Sequence, residues 1–175
     1  MKVFFDFEFT GLCQHTTPIS LGMIAENGEA FYAEFTDYDR SQVNEWIQEN
    51  VIANLLYDDV DPEPKFIDVL EHYGTKESTA KLLRQWLDDF DEQVEVWGDC
   101  LAYDWVLFCE LFGGAFNIPS CVYYVPFDIC TLMELKGIDP DVSREQYAQM
   151  DSEKLKHNAL WDARIIKACY ERLVQ

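Results

Sequence analysis

The chain has 175 residues, 49% of them hydrophobic and 15% aromatic, which suits one domain with a full core and excludes wholesale disorder. With 13 basic against 33 acidic residues the net charge is −20, which excludes an extended basic track along duplex nucleic acid. A nucleic-acid partner has to be held locally, through bound cations or at a chain end.

The N-terminal MKVFFDFEF places acids inside a short apolar run. It has neither the uninterrupted core of a signal peptide nor the length of a membrane span, so a cytoplasmic protein without membrane attachment is expected. Residues 3–9 are almost wholly apolar apart from Asp6 and Glu8, the pattern of a central strand covered on both faces. Residues 19–25 and 30–35 read as two more strands, separated by Glu26-Asn27-Gly28-Glu29, whose Asn-Gly pair is a hairpin signal. The start is an antiparallel meander. Residues 41–56 read as a helix with Val43, Trp46, Ile47, Val51 and Leu55 on one side, followed by an acidic, proline-punctuated loop at 58–64. A second amphipathic helix is expected at 78–90, a short strand at 94–97 and a helix at 102–112. A strand at 121–125 closes at Pro126 before a helix at 129–135. Residues 137–149 are polar, loop with a short helix, and Asn158 caps a final helix to about residue 173. Meander strands followed by strands alternating with helices give an α/β fold, a mixed sheet with helices on its faces.

The six cysteines, Cys13, Cys100, Cys109, Cys121, Cys130 and Cys169, form no CxxC pair and read as buried free thiols. Cys13 with His15 offers two zinc ligands, but no second pair stands out to complete four. Asp6 and Glu8 are the anomaly. Two apart on a strand, they point to one face, where ionised carboxylates repel and are costly to bury. A divalent cation is the simplest remedy.

Asp6-Phe7-Glu8-Phe9-Thr10-Gly11-Leu12 resembles the first motif, DxExTGL, of the DEDDh branch of the 3′→5′ exonuclease superfamily. His157-Asn158-Ala159-Leu160-Trp161-Asp162 is similar to its third motif, HxAxxD. Ala102-Tyr103-Asp104 supplies the aspartate expected after the fourth strand, with an aromatic residue directly before it. Asp99, where the family often has an asparagine, is a rival ligand.

The resemblance spans essentially the whole chain and is nearest to the compact exoribonucleases of bacteria and their phages. It implies a single exonuclease domain over residues 1–175 with the ribonuclease H-like fold: five strands in the order 3-2-1-4-5, the first three an antiparallel meander, with helices on both faces. It also implies hydrolysis at RNA 3′ ends to nucleoside 5′-monophosphates with two divalent cations, Mg²⁺ or Mn²⁺. By the family's pattern Asp6 bridges both ions, Glu8 and Asp162 complete the first site, and Asp104 serves the second. His157 is the general base, and Thr10 and Leu12 touch the terminal nucleotide, Thr10 by a backbone or hydroxyl hydrogen bond to its sugar and Leu12 by wedging against its base. Trp105 and Trp161 read as stacking platforms or as core. Arg164, Lys167 and Arg172 on the final helix are the one basic cluster near the site, a phosphate contact or a solvated face. Single-stranded DNA is a rival substrate that the motifs do not separate from RNA. A module that binds metal and nucleic-acid ends without cleaving is a second class, against which the intact set of acids and His157 argues. Dimers among related exonucleases leave a homodimer open.

Overall fold

The computed structural model describes residues 1–57, 65–150 and 156–175, so the loop expected at 58–64 lies outside the described residues. Strand β1 (Lys2–Phe9) pairs antiparallel with β2 (Pro18–Ala25), and β2 pairs antiparallel with β3 (Ala30–Phe35), which is the expected meander. The β2–β3 turn puts Gly28 at φ 97°, a left-handed conformation that costs glycine little because it has no Cβ. On its other side β1 pairs in parallel with β5 (Glu95–Gly98), and β5 with β6 (Phe127–Asp128).

With β4 (Val69–Gly74) at its edge, the sheet has six strands among the described residues, in the order β4-β3-β2-β1-β5-β6. The expected order is present within it, but the count is corrected by the edge strand β4, parallel to β3. Its sequence, VLEHYG, is half-exposed and carries no apolar alternation, so periodicity gives no sign of it. The strand expected at 121–125 is also corrected. Only Val122 bridges to Val94, and the chain resumes pairing after Pro126, with Phe127 and Asp128 opposite Trp97 and Gly98.

Six α-helices follow the described chain: α1 (Glu45–Asn50), α2 (Lys76–Asp88), α3 (Asp104–Leu111), α4 (Ile129–Leu135), α5 (Arg144–Ala148) and α6 (Ala159–Leu173). The helix expected over 41–56 is broken into α1 between two 3₁₀ turns, Arg40–Gln42 and Ile52–Asn54. Asn44 caps α1 by accepting from the Ile47 N–H, so the helix starts there, and Trp46 is left 55% exposed rather than on the buried side. Thr75 caps α2 by accepting from the Ser78 N–H, which starts that helix earlier than the expected residue 78.

Alternation along β1 sets the layers. Val3, Phe5 and Phe7 pack with Leu83 and Leu87 of α2 and Leu107 and Phe108 of α3. Phe4 points to the opposite layer and packs with Ile129 of α4 and Ile165, Ile166 and Cys169 of α6. Burying each such side chain contributes about 1.5–3 kcal/mol. Asp6 and Glu8 share the parity of Phe4 and therefore face α6.

Helix α6 lies directly on β2. A Cβ at Gly22 would stand 2.2 Å from the Ala159 carbonyl carbon and the Leu160 nitrogen, and backbone cannot step aside as a side-chain tip can. Gly22→Ala is expected to destabilise the protein by about 3 kcal/mol or more, the upper range for overpacked cores. Urea denaturation of the variant against wild type checks it.

Candidate active site

Beyond Phe4, which pairs with Trp97, β1 loses its parallel partner β5. The strand's next free donor is taken by Asp104, the first residue of α3, whose Oδ1 accepts from the Phe7 N–H at 2.9 Å. One aspartate thus closes the sheet's split end and brings its carboxylate beside Asp6. Asp162 arrives from the first turn of α6, which is started by the Asn158 side chain accepting from the Trp161 N–H at 3.2 Å. His157 precedes that cap in a left-handed conformation, φ 61°. Its Nδ1 stands 3.8 Å from Glu8 Oε1, and its ring meets the Trp46 ring edge-on with centroids 5.2 Å apart.

Asp6, Glu8, Asp104, His157 and Asp162 all line one cleft of about 650 Å³. Donor atoms of Glu8, His157 and Asp162 lie within 4.8 Å of one another. Each acid is harder to ionise than a free carboxyl. Asp6 is raised well above its ordinary value by burial, then by Asp104, Asp162 and Glu8. Glu8 is pushed up to about 8 by burial and then by Asp162 and Asp104. Burial and then Glu145 push Asp162 to about 7. Asp104 rises only to about 6, because burial is partly offset by the hydrogen bond from Phe7. The His157 imidazole is pushed down, first by burial and then by Lys156, so it is neutral at pH 7. Oxygen donors crowded in this way suit a hard divalent cation.

Asp99 also borders the cleft, but Arg144 holds it, with Nε 2.8 Å from Oδ2 and Nη2 donating to Oδ1 at 3.1 Å. Leu12 is 78% exposed on the cleft wall with Phe9 and Tyr103. Thr10 is also engaged within the turn that leaves β1. It is buried, its N–H donates to the Thr17 carbonyl, and its hydroxyl donates to Gln42 Oε1 and accepts from the Thr17 N–H. Those groups tie off the turn leaving β1. Trp105 stacks on Phe108, and Trp161 packs beside the layer around Phe4. The basic cluster on α6 is corrected too. Lys167 donates to the Ala25 and Glu26 carbonyls, Arg172 donates to the Tyr147 carbonyl, and Arg164 lies over the Phe66 ring. None of the three lines the cleft.

Two contributors escaped the sequence. Trp46 reads there as a buried stripe residue, yet it braces His157. Glu34, buried in β3, accepts from the Tyr32 hydroxyl at 2.7 Å and from the Leu56 and Tyr57 N–H groups. It thereby anchors the segment whose Asn54 side chain donates to the Lys156 carbonyl beside His157. A lone glutamate in an apolar strand, AFYAEF, was the available signal.

The family of 3′-5′ exoribonuclease Rv2179c-like domains matches residues 1–174. The chain belongs to that family. It is accordingly an enzyme of the 3′→5′ exonuclease class within the DEDDh superfamily. Two relatives of the family's namesake kind, the 3′-5′ exoribonucleases Rv2179c and MT2234.1 of two Mycobacterium tuberculosis strains, are each 27% identical over 165 residues, covering 94% of this chain and 88% of theirs. The Neurospora crassa Pan2 catalytic unit, a protease and nuclease domain, superimposes on 98% of this chain with a TM-score of 0.53 at 14% identity, using 26% of its own length. That likeness bears on fold, which is α/β and ribonuclease H-like. Among the described residues no helix is long and apolar enough to cross a membrane.

The raised carboxyls carry a pH consequence. Glu8, Asp162 and Glu34, the last pushed to about 7 by burial, hold protons in the native state at pH values where the unfolded chain has released them. Between about pH 7 and 8.5 the native state therefore binds more protons than the unfolded one, and stability falls as pH rises. His72 and His157 are pushed down, so they are neutral in the native state across this window. In metal-free buffer the Tm is expected to drop across that range, with a shallower drop in Glu8→Gln. A flat or rising Tm contradicts the burial of these acids.

Proposed function

We propose that this chain is a metal-dependent 3′→5′ exoribonuclease. On this reading one domain over residues 1–175 hydrolyses the last phosphodiester bond at an RNA 3′ end and releases a nucleoside 5′-monophosphate. One observation carries the reading: carboxylates from β1, α3 and α6 converge in a single cleft, and among the described residues none is ion-paired with a lysine or arginine. The donor set fits hard divalent ions, and Asp6, Glu8, Asp104 and Asp162 would hold two of them, Mg²⁺ or Mn²⁺. When bound, such ions supply a nucleophilic water at neutral pH and a Lewis acid for the leaving oxygen.

The protein's own groups do the rest. A neutral His157, braced by Trp46 and near Glu8, accepts the proton of the attacking water. Leu12, exposed opposite Tyr103, wedges against the terminal base. The hydrogen bond from the Phe7 N–H, which sets the Asp104 carboxylate beside Asp6, supports Asp104 as the second-motif ligand. RNA is favoured as substrate by the names of the two mycobacterial relatives, and a cytoplasmic setting is part of the proposal.

The test is digestion of a 5′-labelled RNA oligomer with a free 3′-hydroxyl, beside matched DNA, in Mn²⁺ and in EDTA. Stepwise shortening of the RNA in Mn²⁺ alone, with nucleoside 5′-monophosphates as products, is expected; cleavage of circular RNA or no monophosphate contradicts the reading. His157→Ala is expected to slow turnover by ~10² to 10⁴-fold while Mn²⁺ affinity, measured by calorimetry, is retained. Asp104→Asn should cost far more activity in Mg²⁺ than Asp99→Asn does. With a net charge of −20, few phosphates can be neutralised by side chains, and each adds a slope of about −0.7 to log affinity against log salt. A binding slope shallower than about −2, set by roughly three phosphates, is the expected result of a salt titration.

A further inference from the structure

A second cluster of metal donors lies beside the cleft and is not used by the proposed hydrolysis. Asp99 follows the end of β5, Cys100 sits next to it in a left-handed conformation at φ 55°, and Cys130 is the second residue of α4. One donor atom from each lies within 4.8 Å of the others. The cysteines are not the buried thiols expected: Cys100 is exposed and Cys130 half-buried, whereas Cys109 and Cys169 are buried.

Their spacing has a built cause. Asp128, the cap of α4, accepts with one oxygen from the N–H of both Cys100 and Cys130, at 3.3 Å each. That shared carboxylate pins two chain segments 30 residues apart and sets their sulfurs 3.8 Å from each other. Two thiolates bound to one tetrahedral zinc ion at ~2.3 Å stand about 3.8 Å apart. Asp99 Oδ1 lies 2.8 Å from Cys130 Sγ, accepting its thiol proton. Arg144 completes the group, ion-paired with Asp99 and with Nη2 3.0 Å from Cys130 Sγ.

We propose that Asp99, Cys100 and Cys130 form a binding site for one thiophilic divalent cation of the zinc class, separate from the carboxylates of the cleft. Charge supports it. With both thiols deprotonated, Asp99, Asp128, Cys100 and Cys130 bring four negative charges against the single positive charge of Arg144, and a divalent ion offsets two of the remaining three. Binding displaces the two thiol protons to solvent, and water fills the fourth position. Soft sulfur donors select this class of ion over Mg²⁺, and Cys100, on the cleft wall, gives the ion its entry. The proposal stands on this cluster alone and is independent of the exonuclease reading.

The test titrates Cd²⁺ into the reduced protein in excess Mg²⁺ and follows the thiolate-to-metal charge-transfer absorption. The expected result is saturation at one ion per chain, with at least tenfold weaker affinity in Cys100→Ser and in Cys130→Ser and no change in Cys13→Ser. A second measurement needs no variant: Zn²⁺ should protect Cys100 and Cys130, but not the exposed Cys13, from iodoacetamide, as read by mass spectrometry. The proposal is overturned by absence of a saturable band, by a band that survives both serine substitutions or is displaced by Mg²⁺, or by unprotected Cys100 and Cys130. A chain two hydrogens lighter, with Cys100 and Cys130 joined before any metal is added, also overturns it in favour of a disulfide.

Discussion

Mutual repulsion among carboxylates at the split end of β1 is the constraint that the surrounding structure has to overcome. Two ionised carboxylates 4 Å apart in partly screened surroundings repel by roughly 4 kcal/mol, and Asp6 feels Asp104, Asp162 and Glu8 together. No lysine or arginine among the described residues is paired with these four acids. What opposes the repulsion is apolar packing: Val3, Phe4, Phe5 and Phe7 are all buried around the same strand, each contributing about 1.5–3 kcal/mol. Burial first, and this repulsion after it, make the acids hold protons to unusually high pH. A divalent cation would release those protons and convert a strained arrangement into a stable one.

Much of this was legible in the sequence because it lies in short-range pattern. The apolar run of β1 with two acids at even spacing, the Asn-Gly turn, and the Asn158 cap before Asp162 each follow from local rules of side-chain parity, turn geometry and capping. Long-range partners did not show. Strand β4 has no alternation to betray it, since its pairing with β3 is decided by backbone hydrogen bonding at an edge. Trp46 satisfies a helical apolar stripe on paper, yet the break of that helix at Asn44 turns it toward His157. Thr10 occupies a motif position, and its local hydrogen bonds to Thr17 and Gln42 are not announced by the motif. Arg144 sits in a polar stretch of sequence, and only the fold brings it to Asp99, 45 residues away.

The same fold explains how so acidic a chain could act on an anionic polymer. Among the described residues several cations are engaged internally: Lys167 and Arg172 tie helix α6 to backbone carbonyls, Arg144 neutralises Asp99, and Arg84 donates to the Asn117 carbonyl. On the proposed reading recognition falls to the cleft itself, where Leu12, Phe9 and Tyr103 offer apolar surface and the acids, with metal bound, would offer the counterions. A chain end fits such a site; a long backbone track does not.

The central claim is that Asp6 anchors a metal-holding carboxylate set on which hydrolysis depends, and Asp6→Asn tests it most directly when Mn²⁺ binding and RNA shortening are measured on the same preparation. The account predicts a folded protein, no less stable than wild type in metal-free buffer, that loses Mn²⁺ affinity in the cleft and hydrolysis together. A variant that still shortens RNA at near wild-type rate, or one that is inactive with Mn²⁺ affinity unchanged, would contradict it.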